Sequence, residues 1–183
     1  TRLLEKAGFR VGIIAQPNWQ STADFKQLGR PRLGVLISAG NLDSMLNKFT
    51  AAKNIRSTDS YSPGGKAALR PDRATIVYAN RIRECWPDIP VIIGGIEASL
   101  RRFAHYDYWS DSVRRSILVD SRADLLIHGM GERQIVSIAE KLNQGLSIRE
   151  IHDVNVTCWL TGDRGEVPAN SLEVASYEQV SVN

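Results

Sequence analysis

The sequence predicts an α/β fold, an open and mostly parallel sheet with helices on both faces, of flavodoxin or Rossmann type. Short apolar segments alternate with helical patterns along the chain, and most of these segments are followed directly by glycine or polar residues. Strands without an alternating polar face are typical of parallel sheets buried on both sides. Alternating strands and helices imply right-handed crossovers and a covered sheet.

Four apolar segments are predicted to be strands of this sheet, and a fifth is predicted to be an edge or hairpin strand. The four are residues 10–15, 32–40, 91–93 and 124–128, and the fifth is 154–160. Each is short and rich in valine, isoleucine or leucine, as buried strands are.

The predicted helices are recognised by apolar spacing and by their first and last residues. They are the end of a helix at 1–8, a short helix at 24–28, and helices at 41–49, 71–86, 111–119 and 132–142. In 41–49 the apolar residues fall at helical spacing, and Asn41 or Asp43 is a suitable N-cap. Pro71 and Asp72 suit the first turn of the next helix.

Length and composition predict one globular domain. The 183 residues are 43% hydrophobic and 23% charged, which is ordinary for such a domain. We predict an α/β domain at 1–150, truncated at its N-terminus, and an extension at 151–183 that leads toward a further domain. With an internal strand missing, we expect the isolated fragment to fold poorly.

Charge and cysteine content limit the possible partners. The net charge is +3, and the basic residues are scattered, so nucleic acid is permitted but not indicated. Cys85 and Cys158 lack CxxC spacing, which argues against a zinc site or a disulfide framework and fits a reducing compartment. No long apolar run occurs, so we expect a cytoplasmic protein without a membrane partner.

The first candidate site is the edge of the sheet where the parallel strands end. Ligands of such sheets bind beyond the carboxyl ends of the strands. The candidate residues there are Gly94, Gly95, Glu97, Gly131 and Glu132. Glycine lets backbone N–H groups approach a ligand, but it also simply makes tight turns, and both interpretations stay open. The third glycine of the dinucleotide fingerprint is absent, as is a P-loop.

The second candidate site is residues 99–115, SLRRFAHYDYWSDSVRR, named here the Arg–aromatic segment. In one interpretation its arginines bind an anionic ligand or RNA and its aromatic rings stack on that ligand. In the other, the arginines pair with Asp107 and Asp111 and the rings pack against the domain. Chemistry slightly favours an internal or inter-domain interface. The candidate residues are Arg101, Arg102, His105, Tyr106, Asp107 and Trp109.

Residues 89–142, IPVIIGGIEASLRRFAHYDYWSDSVRRSILVDSRADLLIHGMGERQIVSIAEKL, resemble the N-terminal domain of the YgiQ-type radical SAM proteins. The segments RVGIIAQPNW, RPRLGVLISAGNLDSM, YSPGG and RPDRATIVYANRIRE are similar to that family as well. The resemblance covers nearly the whole chain up to about residue 142 and weakens in the tail.

The resemblance implies a longer parent in which a radical SAM barrel follows this domain. A CxxxCxxC loop in that barrel holds a [4Fe-4S] cluster, which binds S-adenosylmethionine. Neither Cys85 nor Cys158 has that spacing, so no cofactor is assigned to residues of this chain. The domain also resembles cobalamin-binding domains, but the DxHxxG motif is absent, so corrinoid binding is doubtful.

The expected function is therefore that of an accessory domain of a radical SAM enzyme of unknown substrate. It would dock on the catalytic barrel of the same polypeptide and shape its substrate entrance. The alternative is a non-catalytic module that binds a nucleotide, a corrinoid or RNA at the sheet edge. A third possibility makes the Arg–aromatic segment a homodimer contact.

Overall fold

The strands and helices are short and alternate along most of the chain. In a computed structural model that describes residues 1–163, 165 and 169–182, the helices are α1 Arg2–Lys6, α2 Ala23–Lys26, α3 Ser44–Lys48, α4 Ala74–Cys85, α5 Gly95–Leu100, α6 Ile117–Ser121, α7 Glu132–Asn143 and α8 Tyr177–Ser181. The strands are β1 Val35–Ile37, β2 Val91–Ile93, β3 His105–Asp107, β4 Ser112–Arg114, β5 Leu125–Ile127 and β6 Thr157–Cys158. Single 3-10 turns occur at Pro63–Gly65 and Ile148–Glu150.

The main sheet has the strand order β1-β2-β5-β6. The first three strands are parallel, and β6 runs antiparallel to β5 at the edge. Every residue of β2 and β5 is buried, as expected for central parallel strands. The predicted open, mostly parallel α/β sheet is confirmed, and so is an edge strand within 154–160.

Alternate residues of the central strands face two separate cores. Val91 and Ile93 of β2 face the core that contains Tyr78 and Ile82 of α4. Ile92 faces the opposite core, which is formed with α7, Ile151 and Val154. Helices therefore cover both faces. Burial of one aliphatic side chain contributes about 1.5–3 kcal/mol, so these two cores supply most of the driving force for folding.

The predicted strand at 10–15 is wrong for the described residues. Among the described residues, the segment pairs with no other strand, and the side chain of Ile13 is 68% exposed. An apolar segment becomes a strand only when a neighbour accepts its backbone hydrogen bonds. The apolar pattern is present here, but the neighbouring strand is not.

The predicted helix at 111–119 is also wrong in its first half. Residues 105–114 form an antiparallel hairpin, in which His105 pairs with Arg114 and Asp107 pairs with Ser112. The helix begins only at Ile117, because the Ser116 side chain accepts a hydrogen bond from the N–H of Leu118 and caps it.

In the C-terminal part of the chain, the predicted edge strand is present as β6, which pairs with β5. Helix α8 was not predicted, and part of the predicted turn at 162–165 lies outside the described residues.

Within the described ranges, no helix has the length and apolar character that crossing a membrane requires.

Candidate functional site

The carboxyl ends of β1, β2 and β5, with the loops that follow them, form one edge of the sheet, named here the rim. The N–H of Gly94 donates to the carbonyl of Ile37 at 2.9 Å, which ties the end of β2 to the end of β1. The N–H of Gly129 donates to Ser99 Oγ at 3.2 Å, which ties the loop after β5 to α5. Gly94, Gly95 and Gly131 are predicted to lie on this rim, and the fold brings them there.

The rim glycines have packing reasons of their own. Gly95 has φ +80°, and a Cβ there would lie 3.2 Å from the Cβ of Ser38. A Cβ on Gly131 would lie 2.6 Å from Cγ2 of Ile127. These two glycines let helices α5 and α7 begin close against the strand ends. Tight turns account for them without a ligand.

Glu97 has the least expected position of the candidate residues, because its side chain points into the domain and is only 1% exposed. One carboxylate oxygen accepts hydrogen bonds from the N–H of Ser44 at 2.8 Å and from Ser44 Oγ at 2.6 Å. The other accepts from the N–H of Thr75 at 2.9 Å. Since these N–H groups lie in the first turns of α3 and α4, one buried carboxylate satisfies both helix starts.

Asp43 and Arg101 form a second buried tie beside Glu97. Asp43 Oδ1 caps α3 by accepting from the N–H groups of Met45 and Leu46. Its other oxygen forms an ion pair with Arg101, which also donates to the carbonyl of Glu97. Arg101 is therefore engaged within the domain.

The remaining arginines of the Arg–aromatic segment do not pair as predicted. Arg114 and Arg115 both bind Asp120, at 2.6 and 3.3 Å. Arg102 donates to the carbonyl of Ser99 at 2.6 Å and lies 4.9 Å from the centre of the Phe103 ring. Among the described residues, the interpretation in which these arginines pair with Asp107 and Asp111 is wrong.

Asp107 and Asp111 instead bind other partners. Asp107 is buried, forms an ion pair with Arg73 and accepts from Ser110. Burial opposes its ionisation, but the hydrogen bonds from Ser110 and Arg73 outweigh it and lower the pKa of Asp107. Asp111 accepts from the Tyr106 hydroxyl. Both contacts lie at the turn end of the hairpin.

The aromatic residues after β3 hold the hairpin against the end of α3. The Trp109 ring lies 5.3 Å from that of Phe49 and 5.4 Å from that of Tyr108. The Tyr108 hydroxyl donates to the carbonyl of Ala51 at 2.6 Å. Such packed aromatic pairs contribute about 0.5–1.5 kcal/mol beyond burial. Trp109 is therefore a packing residue within the domain.

His105 lies at the start of β3 with one nitrogen engaged. Its Nδ1 is 3.1 Å from the carbonyl oxygen of Phe103, and Nε2 is buried without a hydrogen-bond partner among the described residues. Burial lowers the pKa of His105, so the ring is more readily neutral than an exposed histidine.

Sequence reasoning missed a buried ion pair in the long loop before α4. Asp59 accepts from Arg70 Nη2 at 2.8 Å and from Ser62 Oγ at 2.7 Å. Burial opposes its ionisation, and the hydrogen bonds from Ser62, Asn47 and Arg70 overcome this and lower the pKa of Asp59. No periodicity marks this pair in the sequence, because both partners lie outside regular elements.

One set of rim side chains is exposed although it is apolar. It is named here the apolar rim patch and consists of Ile96, Leu100, Phe103 and Met130. Their exposed fractions range from 48% for Ile96 to 81% for Met130. Ile96 and Leu100 lie one turn apart on α5. The bond between Ser99 and Gly129 brings the loop that carries Met130 against the same helix.

The described residues do not fit a metal or iron–sulfur site. No group of three or more histidine, cysteine or acidic side chains is arranged to hold a metal in that part of the chain. Burial raises the pKa of both Cys85 and Cys158, which disfavours the thiolate that metals bind. A cluster would need ligands from outside these residues.

Comparison with known proteins gives one family and a consistent set of relatives. The family model described as Radical SAM N-terminal matches residues 1–183. A UPF0313 protein of Clostridium botulinum (strain ATCC 19397 / Type A) is 57% identical over 182 residues, which cover 100% of this chain and 28% of that protein. A UPF0313 protein of Clostridium perfringens (strain 13 / Type A) is 54% identical over 181 residues, covering 99% of this chain and 27% of that protein. The chain thus spans about a quarter of the length of these relatives. No solved structure matches it.

Proposed function

Because the chain belongs to the radical SAM N-terminal family, as its sequence resemblance predicts, we propose that it docks on the radical SAM barrel of the same polypeptide. In that position its rim shapes the entrance through which substrate reaches the barrel. Family membership implies a [4Fe-4S] cluster and S-adenosylmethionine for the parent. The thiolates for that cluster come from outside this chain.

The apolar rim patch is the observation that carries the proposal. Helix α5 buries Glu97 together with Ala98 and turns Ile96 and Leu100 outward, so that its exposed side is more apolar than that of an ordinary surface helix. Apolar side chains grouped on one exposed edge are typical of a surface that a partner covers. A domain that makes up about a quarter of a longer polypeptide has such a partner in the same chain.

Arg102 adds a charged group next to the patch. Among the described residues it has no acidic partner, and it lies against the exposed Phe103 ring. An arginine on an aromatic ring beside apolar residues is a common composition for the centre of an interface. We expect an acidic or carbonyl group of the barrel to accept from Arg102.

The test uses the full-length parent with Leu100→Glu and Met130→Glu. A carboxylate buried against the barrel costs several kcal/mol, so the domain should separate. We expect the radius of gyration from small-angle scattering to rise, and amide exchange in residues 95–103 to become at least about tenfold faster. Iron content per chain should stay unchanged, since the cluster lies elsewhere.

Leu28→Glu is the matched control. The exposed fraction of Leu28 is 58%, similar to the 62% of Leu100, but Leu28 lies between α2 and β1, two residues before Arg30, which pairs with Asp88 ahead of β2. This variant should behave like the unmodified protein. An unchanged scattering profile for both rim variants would contradict docking through the rim.

Binding of a nucleotide, a corrinoid or RNA at the rim is the competing function. Calorimetric titration of the full-length protein with each ligand separates it from docking. Micromolar affinity that Met130→Glu abolishes, with no change in scattering, would replace the docking proposal. If the molecular mass from scattering were that of a dimer for the unmodified protein and that of a monomer for the rim variants, a homodimer contact would be favoured instead.

A further inference from the structure

Two basic side chains, Arg102 and His128, lie at the rim next to the apolar rim patch. Arg102 lies just after α5, and His128 directly follows β5. Both side chains are half-buried. Within the part of the chain that the structure describes, neither has an acidic partner, and the His128 ring makes no hydrogen bond. Taking charged groups partly out of water costs free energy unless an opposite charge is supplied, so this pair favours an anion.

Ser99 of α5 ties the two positions together. Its carbonyl oxygen accepts a hydrogen bond from Arg102 Nη1 at 2.6 Å. Its Oγ accepts from the N–H of Gly129, the residue after His128, at 3.2 Å. One residue therefore holds both the guanidinium and the backbone next to the imidazole.

The His128 ring lies on the α5 side of the sheet. The N–H of His128 donates to the carbonyl of Val156 at 3.1 Å, so the pairing of β5 with the β6 segment continues through this residue. Since side chains alternate along a strand, His128 lies on the same side as Leu126, which packs in the core that contains Ala98 of α5. Burial and the nearby charge of Arg102 both lower the pKa of His128.

The other titratable groups of the surrounding elements do not neutralise this pair. Cys158 of β6 packs on the same side, and burial raises the pKa of its thiol, so it stays uncharged at neutral pH. Glu97 of α5 points inward. Glu132 and Arg133 begin α7, which packs on the opposite face of the sheet. An anion at this position therefore comes from outside the described residues.

We propose that Arg102 and His128 together bind a carboxylate group at the rim. A guanidinium has five N–H donors, and Arg102 uses one of its Nη1 donors on Ser99. A carboxylate accepts two parallel N–H groups from an arginine and a further one from a protonated histidine. The carboxylate belongs to a side chain elsewhere in the full-length polypeptide or to a free ligand. The site does not depend on docking, because scattering reports the position of the domain whereas the test below reports the His128 ring.

Carboxylate binding at this site is coupled to a proton. Without a carboxylate, the pKa of His128 lies below that of an ordinary histidine, so the ring is mostly neutral at pH 7. A carboxylate beside the ring favours its charged form and raises the pKa. Affinity is therefore highest below the pKa of the free site and is lost as pH rises through the pKa of the occupied site.

The test measures the pKa of His128 in the full-length protein, through deuterium exchange of the imidazole C2 hydrogen followed by mass spectrometry. If the carboxylate belongs to the polypeptide, this pKa should lie above the ordinary value of about 6.5 without any added ligand. If it belongs to a free ligand, saturating acetate should raise the pKa above that value. A pKa that stays below about 6.5 with and without acetate would overturn the proposal. A rise produced by inorganic phosphate but not by acetate would overturn it as well.

The variant Arg102→Gln separates binding from simple proximity by the sign of its effect, measured with acetate present. Glutamine keeps a donor for the Ser99 carbonyl but carries no charge. If a carboxylate is bound, the substitution removes the group that holds it, and the pKa of His128 should fall. If none is bound, the substitution removes only a repulsive charge, and the pKa rises, which would contradict the proposal. Arg133→Gln is the matched control, because Arg133 is an exposed arginine in the first turn of α7 and does not act on His128.

Discussion

Helices α5 and α7 both follow a buried parallel strand and both have a glycine at the N-cap position, yet they are stabilised in opposite ways. Helix α7 buries Ile138 and presents charged residues to solvent, which is the usual amphipathic arrangement. Helix α5 buries Glu97 and exposes Ile96 and Leu100. Apolar packing holds α7, whereas hydrogen bonds to a buried carboxylate hold the α5 region. The outward side of α5 is therefore left for a partner.

The largest expected effect is that of Glu97→Ala. It leaves the N–H groups of Ser44 and Thr75 without their acceptor inside the domain. We expect a loss of about 3–5 kcal/mol in the free energy of unfolding, because each buried neutral donor that loses its acceptor costs about 1–3 kcal/mol. Native-state amide exchange of β5 in the full-length protein measures it. Glu132→Ala is the control, because Glu132 is an exposed carboxylate in the first turn of α7 and should cost under about 1 kcal/mol. Equal losses of unfolding free energy in Glu97→Ala and Glu132→Ala would contradict the proposed difference between the two helices.

The next effect is that of Ile138→Ala on α7. Ile138 is almost fully buried against the side of the sheet that contains Ile92 and Leu125. Removing its methylene and methyl groups should cost about 2–4 kcal/mol through lost burial and the cavity that remains. The same exchange measurement applies. A loss below about 1 kcal/mol would show that α7 does not depend on apolar packing.

Acid should destabilise the segments that contain Asp59 and Asp107 before it destabilises α7. The pKa values of Asp59 and Asp107 are lowered in the folded state. Their stabilisation is present above the unfolded-state pKa of about 4 and is lost as pH falls through the folded-state value. For one such carboxylate the loss at pH 3 is about 1 kcal/mol. Exchange, corrected for its intrinsic pH dependence, should therefore accelerate in residues 58–70 and 105–114 before it does in α7.

Asp59→Asn is the internal comparison for the acid experiment. It removes the titrating group beside Arg70 and should abolish the extra acid sensitivity of residues 58–70, while residues 105–114 keep theirs. If α7 opened first on acidification, the buried acids would not be the weakest part of the domain at low pH.

Features that depend on the local residue pattern, such as the apolar strands, could be predicted from the sequence. Features that depend on contacts between distant segments could not. The parallel strands at β1, β2 and β5 follow from apolar segments that need no partner to be recognised. Residues 10–15 have the same pattern but no described neighbour, so the pattern alone was misleading. The place of Glu97 after Gly94 and Gly95 predicts a position on the rim. Its inward direction depends on Ser44 and Thr75, which are far away in the sequence.

The smallest expected effect on the domain itself is that of Leu100→Gln. Leu100 is exposed on α5, so its substitution should change the free energy of unfolding by less than about 0.5 kcal/mol. Leu142→Gln on α7 is the matched variant, because Leu142 packs against the α7 core and should cost clearly more. Amide exchange of β5 in the full-length protein compares the two. A small cost at Leu100 together with faster exchange of α5 itself would mean that the residue contributes to docking and not to folding. A cost above about 1.5 kcal/mol in β5 would mean that the outer side of α5 is packed within the domain, and the apolar character of that side would then have no partner to explain it.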